Sequence, residues 1–208
     1  NLYHAHYKFS NVEGLGCLEH KPDERDYVYE NPLGLFFDKP EPKSEVCFNG
    51  NNWIFDQKNL NICVFASNVS ASSYQEGKRF SVKFTVQMAK KLGYITGNGW
   101  SFLRAALDIS VKYGRLPYEM MPDEVNSTWE TYSRYQITQE MLDEAAKWKA
   151  PSYHKVSNAA DAVSLLDQGY VLVTALKWFS DMNKPYPADF YLNFSGNYIG
   201  GHAIDVPG

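Results

Sequence analysis

The sequence predicts an α+β fold, with helices in the first two thirds of its 208 residues and strands at the end. Two observations carry this. From Ile62 to Gly169, apolar residues recur at helical spacing, and each run is bracketed by capping residues and glycines. After Gly169 the period changes: Tyr170–Leu176 is a continuous apolar run of strand length, and Tyr198–Val206 reads as a second strand. There is no alternating strand–helix rhythm of the kind that builds a parallel sheet.

Residues 1–52 are irregular, interrupted by Gly14, Gly16, Pro22, Pro32, Gly34, Pro40, Pro42 and Gly50. They read as a wrapping arm or pro-like extension, with room for one short strand between Tyr27 and Phe37. The first helix begins near Asn61, a candidate N-cap, and carries Ile62, Phe65, Ala66 and Val69 on one face. Ser81 caps a second, with Val82, Val86 and Ala89 inward and Gly93 as its stop. A third is expected over Trp100–Tyr113, with Leu103, Ala106 and Leu107 inward and Gly114 at its end. Pro117–Tyr135 reads as a polar, flexible connection. Thr138 caps a fourth helix, flanked by an Ile137–Leu142 staple and ended by Pro151. Asn158 and Asp161 open a fifth, carrying Ala159, Ala162, Val163 and Leu166.

Composition bounds the function. With 44% apolar and 15% aromatic residues the chain is long and apolar enough for a sizeable core. A net charge of −4 without a Lys/Arg cluster argues against nucleic acid as the main partner. No apolar run approaches the ~20 residues of a membrane span. Three cysteines, Cys17, Cys47 and Cys63, are too few for a disulfide scaffold; small buried side chains are the expectation for Cys17 and Cys47, ahead of a bridge between them. No metal-ligand spacing and no cofactor motif occur. Asn68, Asn126 and Asn193 head sequons, the first inside a predicted helix.

The residues that carry chemistry are Cys63 and His202, with Gln57 six positions before the cysteine. A thiol needs a base to become a good nucleophile, and imidazole is the usual one. The helix start predicted just before Cys63 places the thiol among free backbone N–H groups and at the positive end of the helix dipole, which favours a thiolate. Cysteine comes first and the histidine follows after roughly 140 residues, a papain-type order and separation.

On these residues the chain resembles papain-like cysteine peptidases over roughly 53–206. Asp56-Gln57 followed by Cys63 is similar to the family's glutamine–cysteine segment, and Gly200-Gly201-His202-Ala203 to its histidine strand. Ser81–Leu92, Gly97-Asn98-Gly99-Trp100 and the helix to Gly114 resemble its second helix, glycine-rich substrate loop and third helix. The resemblance implies two lobes, a helical one over about 53–135 and a β lobe over about 136–208, with the cleft between them. It implies Cys63 as nucleophile, His202 as proton carrier, Gln57 as oxyanion donor, and Asn98, Gly99 and Gly201 along a peptide-binding cleft, with a peptide or protein as substrate.

The pattern departs from the family in four places. Asn61-Ile62 replaces Gly-Ser before the cysteine, setting a branched side chain at the cleft floor. Val64 replaces a tryptophan. The helical-lobe disulfide cysteines are absent, which suits a reducing compartment. The asparagine and tryptophan expected on a strand beyond the histidine do not occur before Gly208. The expectation is therefore a longer polypeptide, or a partner chain, that completes the β lobe. Two further readings follow from the departures: a catalytically weak or inactive domain serving as a binding module, and acyl transfer by the same dyad.

Overall fold

The structure is a computed structural model that describes residues 14–19, 53, 55–123, 128–183 and 194–206. Helices α1 (Cys63–Glu76), α2 (Val82–Lys91), α3 (Leu103–Lys112), α4 (Trp129–Tyr132), α5 (Gln139–Ala145) and α6 (Ala159–Asp167) precede an antiparallel pair of strands, β1 (Leu172–Phe179) and β2 (Tyr198–Val206). This is the expected α+β order.

The caps explain most of the boundaries. Ser81, Thr138 and Asn158 each accept the N–H three residues on, and so satisfy a first-turn amide that no helical carbonyl can reach. Asn61 does not play this part. The helix starts one residue later, after Ile62, and Asn61 Oδ1 is buried without a partner among the described residues. Trp100 is not helical either: it pairs with Thr96 across the Gly97-Asn98-Gly99 turn, and α3 begins at Leu103. In α3 the inward side chains are Ala106 and Ile109 rather than Leu107, and in α6 Leu165 rather than Leu166. The β1 strand lies two to three residues beyond its expected span and is half-buried rather than fully buried.

One core joins the elements. Phe65 and Val69 of α1, Phe84 and Val86 of α2, Ala106 and Ile109 of α3 and Ala203 of β2 pack into a single buried cluster. Ile137, Ala145 and Trp148 pack into it too, so the helical core runs past residue 135. Ser70 Oγ donates to Asp205 Oδ2 at 2.8 Å, a second tie between α1 and β2.

In the stretch expected to be a flexible connection, the described residues 117–123 and 128–135 contribute to a buried hydrogen-bond network. Tyr132 is wholly buried, and its hydroxyl donates to Asp123 Oδ1 at 3.0 Å. That carboxylate also accepts the N–H of Lys83 at 2.7 Å and of Val82 at 3.4 Å, at the N-terminus of α2. Gln87 donates to the Tyr132 carbonyl and accepts from Gln136 N–H. Polar composition concealed a network in which polar groups satisfy one another inside the core. The Tyr27–Phe37 strand, Cys47 and the sequons at Asn126 and Asn193 lie outside the described residues. Asn68 is buried, with Oδ1 accepting from Ser110 Oγ at 3.0 Å. Among the described residues, no helix is long and apolar enough to cross a membrane.

Replacing Tyr132 by Phe leaves the Asp123 carboxylate buried with one donor fewer. The expected loss is about 1–3 kcal/mol of unfolding free energy, read by urea denaturation. An unchanged midpoint would show that the network does not hold the 117–135 segment.

Candidate active site

The site is built where β2 meets the first turn of α1. Cys63 is the first helical residue of α1 and only 1% exposed, and its Sγ accepts the N–H of Ala203 at 3.4 Å. Its own N–H, that of Val64 and that of Gly16 also face the sulfur and favour the thiolate. Burial is the larger effect and works the other way, pushing the thiol up to about 11. The helix start expected to activate the thiol is therefore present and outweighed by the loss of solvent.

His202 lies next to Ala203 on β2, opposite Leu176 of β1. The Trp178 ring stands edge-on to the imidazole, with centroids 4.8 Å apart and planes at 67°. Trp178 is itself held by Nε1 donating to Asn183 Oδ1 at 2.8 Å. Nδ1 of His202 is buried and has no hydrogen-bond partner among the described residues, and burial lowers the pKa of the ring. The structure thus brings Cys63 and His202 to adjacent elements without a hydrogen bond between them. A raised thiol and a lowered imidazole leave the proton on sulfur.

Residues 14–19 explain the burial. This piece of the N-terminal arm threads between the loop after Gly99 and β2. Ser101 N–H donates to the Gly16 carbonyl at 2.9 Å, and Leu18 N–H to the Ser101 carbonyl at 2.8 Å, a parallel pairing. On the other side Cys17 N–H donates to the Gly201 carbonyl at 3.1 Å. The side-chain amide of Gln57 donates to the Gly14 carbonyl. Gly14 here stands in for a peptide carbonyl presented to the predicted oxyanion donor. Leu15 and Leu18 pack with Trp100, against Phe102, Trp178 and Ile199.

Glycine is required where these backbones touch. A Cβ on Gly201 would come within 2.2 Å of the Cys17 carbonyl oxygen. The Asn61 carbonyl is wedged between Gly16 and Gly99, where added Cβ atoms would lie 2.0 Å and 2.6 Å from it. Ile62 is fully buried with the arm in place, and its Cγ2 is turned toward Gly99. Of the candidate substrate-binding residues, Gly201 meets the peptide backbone directly. Gly99 is buried against Asn61 and Ile62, just before α1, and Asn98 is exposed at the turn. The sequence predicts a wrapping arm over residues 1–52, but not which of its residues seat here or that Ser101 pairs with them; neither belongs to a periodic pattern or a motif. Cys17 is free and buried, so it is not bridged to Cys47.

Searches with the sequence match no family model and no curated protein. Solved structures do match. The crystal structure of xylellain, a cysteine protease from Xylella fastidiosa, superposes with a TM-score of 0.77 at 15% identity, covering 97% of this chain and 81% of that one. Procathepsin B S9 from Trypanosoma congolense gives 0.65 at 16% identity, covering 93% and 70%. The fold is that of the papain-like cysteine peptidases.

With the proton on sulfur, the thiolate fraction of Cys63 rises about tenfold per pH unit below its pKa. Alkylation of the full chain by iodoacetamide, followed by mass spectrometry of the Cys63 peptide, should accelerate accordingly and level off only near pH 11. A plateau already reached at neutral pH would mean that a thiolate–imidazolium pair exists with the arm in place.

Proposed function

We propose that this chain is a cysteine peptidase whose cleft is closed by its own residues 14–19. The observation that carries the reading is the Gln57 amide donating to a peptide carbonyl, that of Gly14, while Gly16 two residues on turns its N–H to the buried Cys63 sulfur. In the open state Cys63 attacks the carbonyl carbon of a bound peptide as a thiolate. The oxygen takes up the negative charge and is held by the Gln57 amide and the Cys63 N–H. His202 carries the thiol proton and delivers it to the leaving amine. It then takes a proton from the water that cleaves the thioester.

The closed state accounts for the survival of the arm. Cys63 is a protonated thiol and His202 is held toward its neutral form, so the Gly14 carbonyl faces no nucleophile. Ser101 and Gly201 supply the backbone groups that grip an extended chain, and Gly99 and Asn98 shape the turn that presents Ser101. The similarity to a procathepsin, a proenzyme by name, agrees with a chain caught in its closed form.

Besides the sequence departures that suggested it, the inactive-module reading is favoured by the missing hydrogen bond between Cys63 and His202 among the described residues. Loosening the arm separates the two readings. Leu15→Asp with Leu18→Asp puts charges into the apolar seat on Trp100, and burying an unpaired charge is costly enough to release the segment. The double variant should alkylate at Cys63 at least tenfold faster at neutral pH and hydrolyse unfolded casein. Adding Cys63→Ala should abolish hydrolysis, and adding His202→Ala should return alkylation to the rate of a simple thiol. Fast alkylation without hydrolysis would leave a binding module; slow alkylation would remove the nucleophile.

A further inference from the structure

We propose that Cys17 and Cys63 form a redox-controlled disulfide that tethers the arm across the cleft, with a hydroperoxide as oxidant. The proposal rests on Cys63 being the reactive thiol of the proposed peptidase. Both cysteines are free, both are buried, and both belong to the same core cluster. Each is anchored to β2: Cys17 through its N–H on the Gly201 carbonyl, and Cys63 through its sulfur on the Ala203 N–H. The carbonyl of one strand residue and the amide two residues on point to the same edge. The two cysteines therefore lie side by side along one edge of β2, anchored on a carbonyl and on the amide two residues further on, which lie roughly 4–5 Å apart along an extended strand. A disulfide closes over ~4.4–6.8 Å between Cα atoms, a range that anchors this close allow. The N–H of Gly16, next to Cys17, also faces the Cys63 sulfur, and the two thiols are near enough for the charge on one to disfavour charge on the other.

Burial keeps both thiols protonated and slow to react at neutral pH while the arm is seated, so oxidation there begins when it lifts. The exposed Cys63 thiolate attacks one oxygen of hydrogen peroxide. The O–O bond breaks, hydroxide leaves, and Cys63 becomes a sulfenic acid. When the arm returns, the Cys17 thiol attacks that sulfur; the S–O bond breaks and water leaves with the thiol proton. Two thiols have then lost two electrons in all, one peroxide has become two waters, and the arm is covalently closed. A thiol reductant reopens it.

The test treats the full chain with graded hydrogen peroxide and maps the cysteines by non-reducing peptide mass spectrometry. The expected product is a Cys17–Cys63 linked peptide, with loss of iodoacetamide labelling at Cys63 that dithiothreitol restores almost completely. In Cys17→Ser the same dose should carry Cys63 to the sulfinic acid, which dithiothreitol does not restore. Sulfinic acid at Cys63 in the unaltered chain at the same dose as in Cys17→Ser, or linkage of Cys63 to Cys47 instead, would overturn the proposal. Alkylation of Cys63 without peroxide in Cys17→Ser carrying Leu15→Asp and Leu18→Asp, which frees the arm, isolates the underlying reading: a rate no faster than a simple thiol would remove the nucleophile, whatever the disulfide map shows.

Discussion

The architecture depends on the close approach of β2 to the first turn of α1. Ala203 is buried in the helical core, and its N–H ends on the Cys63 sulfur. That one contact fixes His202 beside the helix start, because a strand residue cannot move without its neighbour. It also leaves the same edge of β2 facing the cleft, where the Gly201 carbonyl takes the Cys17 N–H. Side chains at 16, 99 or 201 would force the backbones apart, since each added Cβ would lie within 2.6 Å of a carbonyl oxygen. Glycine at these positions is a condition for the site to exist at all.

Burial and activation oppose each other at Cys63. Three backbone amides of the closed site and the Ala203 N–H pull the thiol toward its anion; desolvation pulls harder. The balance is set by the arm, because Gly16 and Cys17 are what cover the sulfur on the cleft side. Removing them returns solvent while three of the four donors stay, so exposing the cleft and activating the thiol are one event. His202 is biased the same way: desolvation alone lowers its pKa, and no carboxylate or amide among the described residues opposes it. Edge contact with Trp178 orients the ring without supplying charge.

The legible parts of the fold were those written in local chemistry. Ser81, Thr138 and Asn158 announce their helices because a capping oxygen acts within three residues. The shift from helical to continuous apolar spacing after Gly169 marks the strands. The proximity of Cys63 to His202 was legible only through their order and separation, since nothing local to either residue implies the other. The illegible parts were those decided at long range. Asp123 and Tyr132 look like loop residues until Lys83 and Val82 arrive from α2. Trp100 fits a helical pattern until Thr96 pairs with it. The seat of Gly14–Leu18 depends on Gln57, Ser101 and Gly201, partners spread over most of the chain that share no motif.

On the peptidase reading proposed above, the direction of the arm bears on why the chain would lie in its own cleft uncut. Its pairing with Ser101 is parallel, and two strands in parallel register offer evenly spaced, slanted hydrogen bonds rather than the close alternating pairs of an antiparallel match. Gly14 is held by one donor from Gln57, Gly16 and Leu18 by Ser101, and Cys17 by Gly201, so the chain is gripped at four points along roughly a dozen ångströms. Cleavage needs more than a carbonyl near a donor: it needs an anionic sulfur and a proton carrier at the same instant. The seated arm keeps the sulfur protonated through the same burial that its grip requires. A tighter grip makes a poorer nucleophile, so on the proposed reading the stability of the closed form and its resistance to self-cleavage have one physical cause.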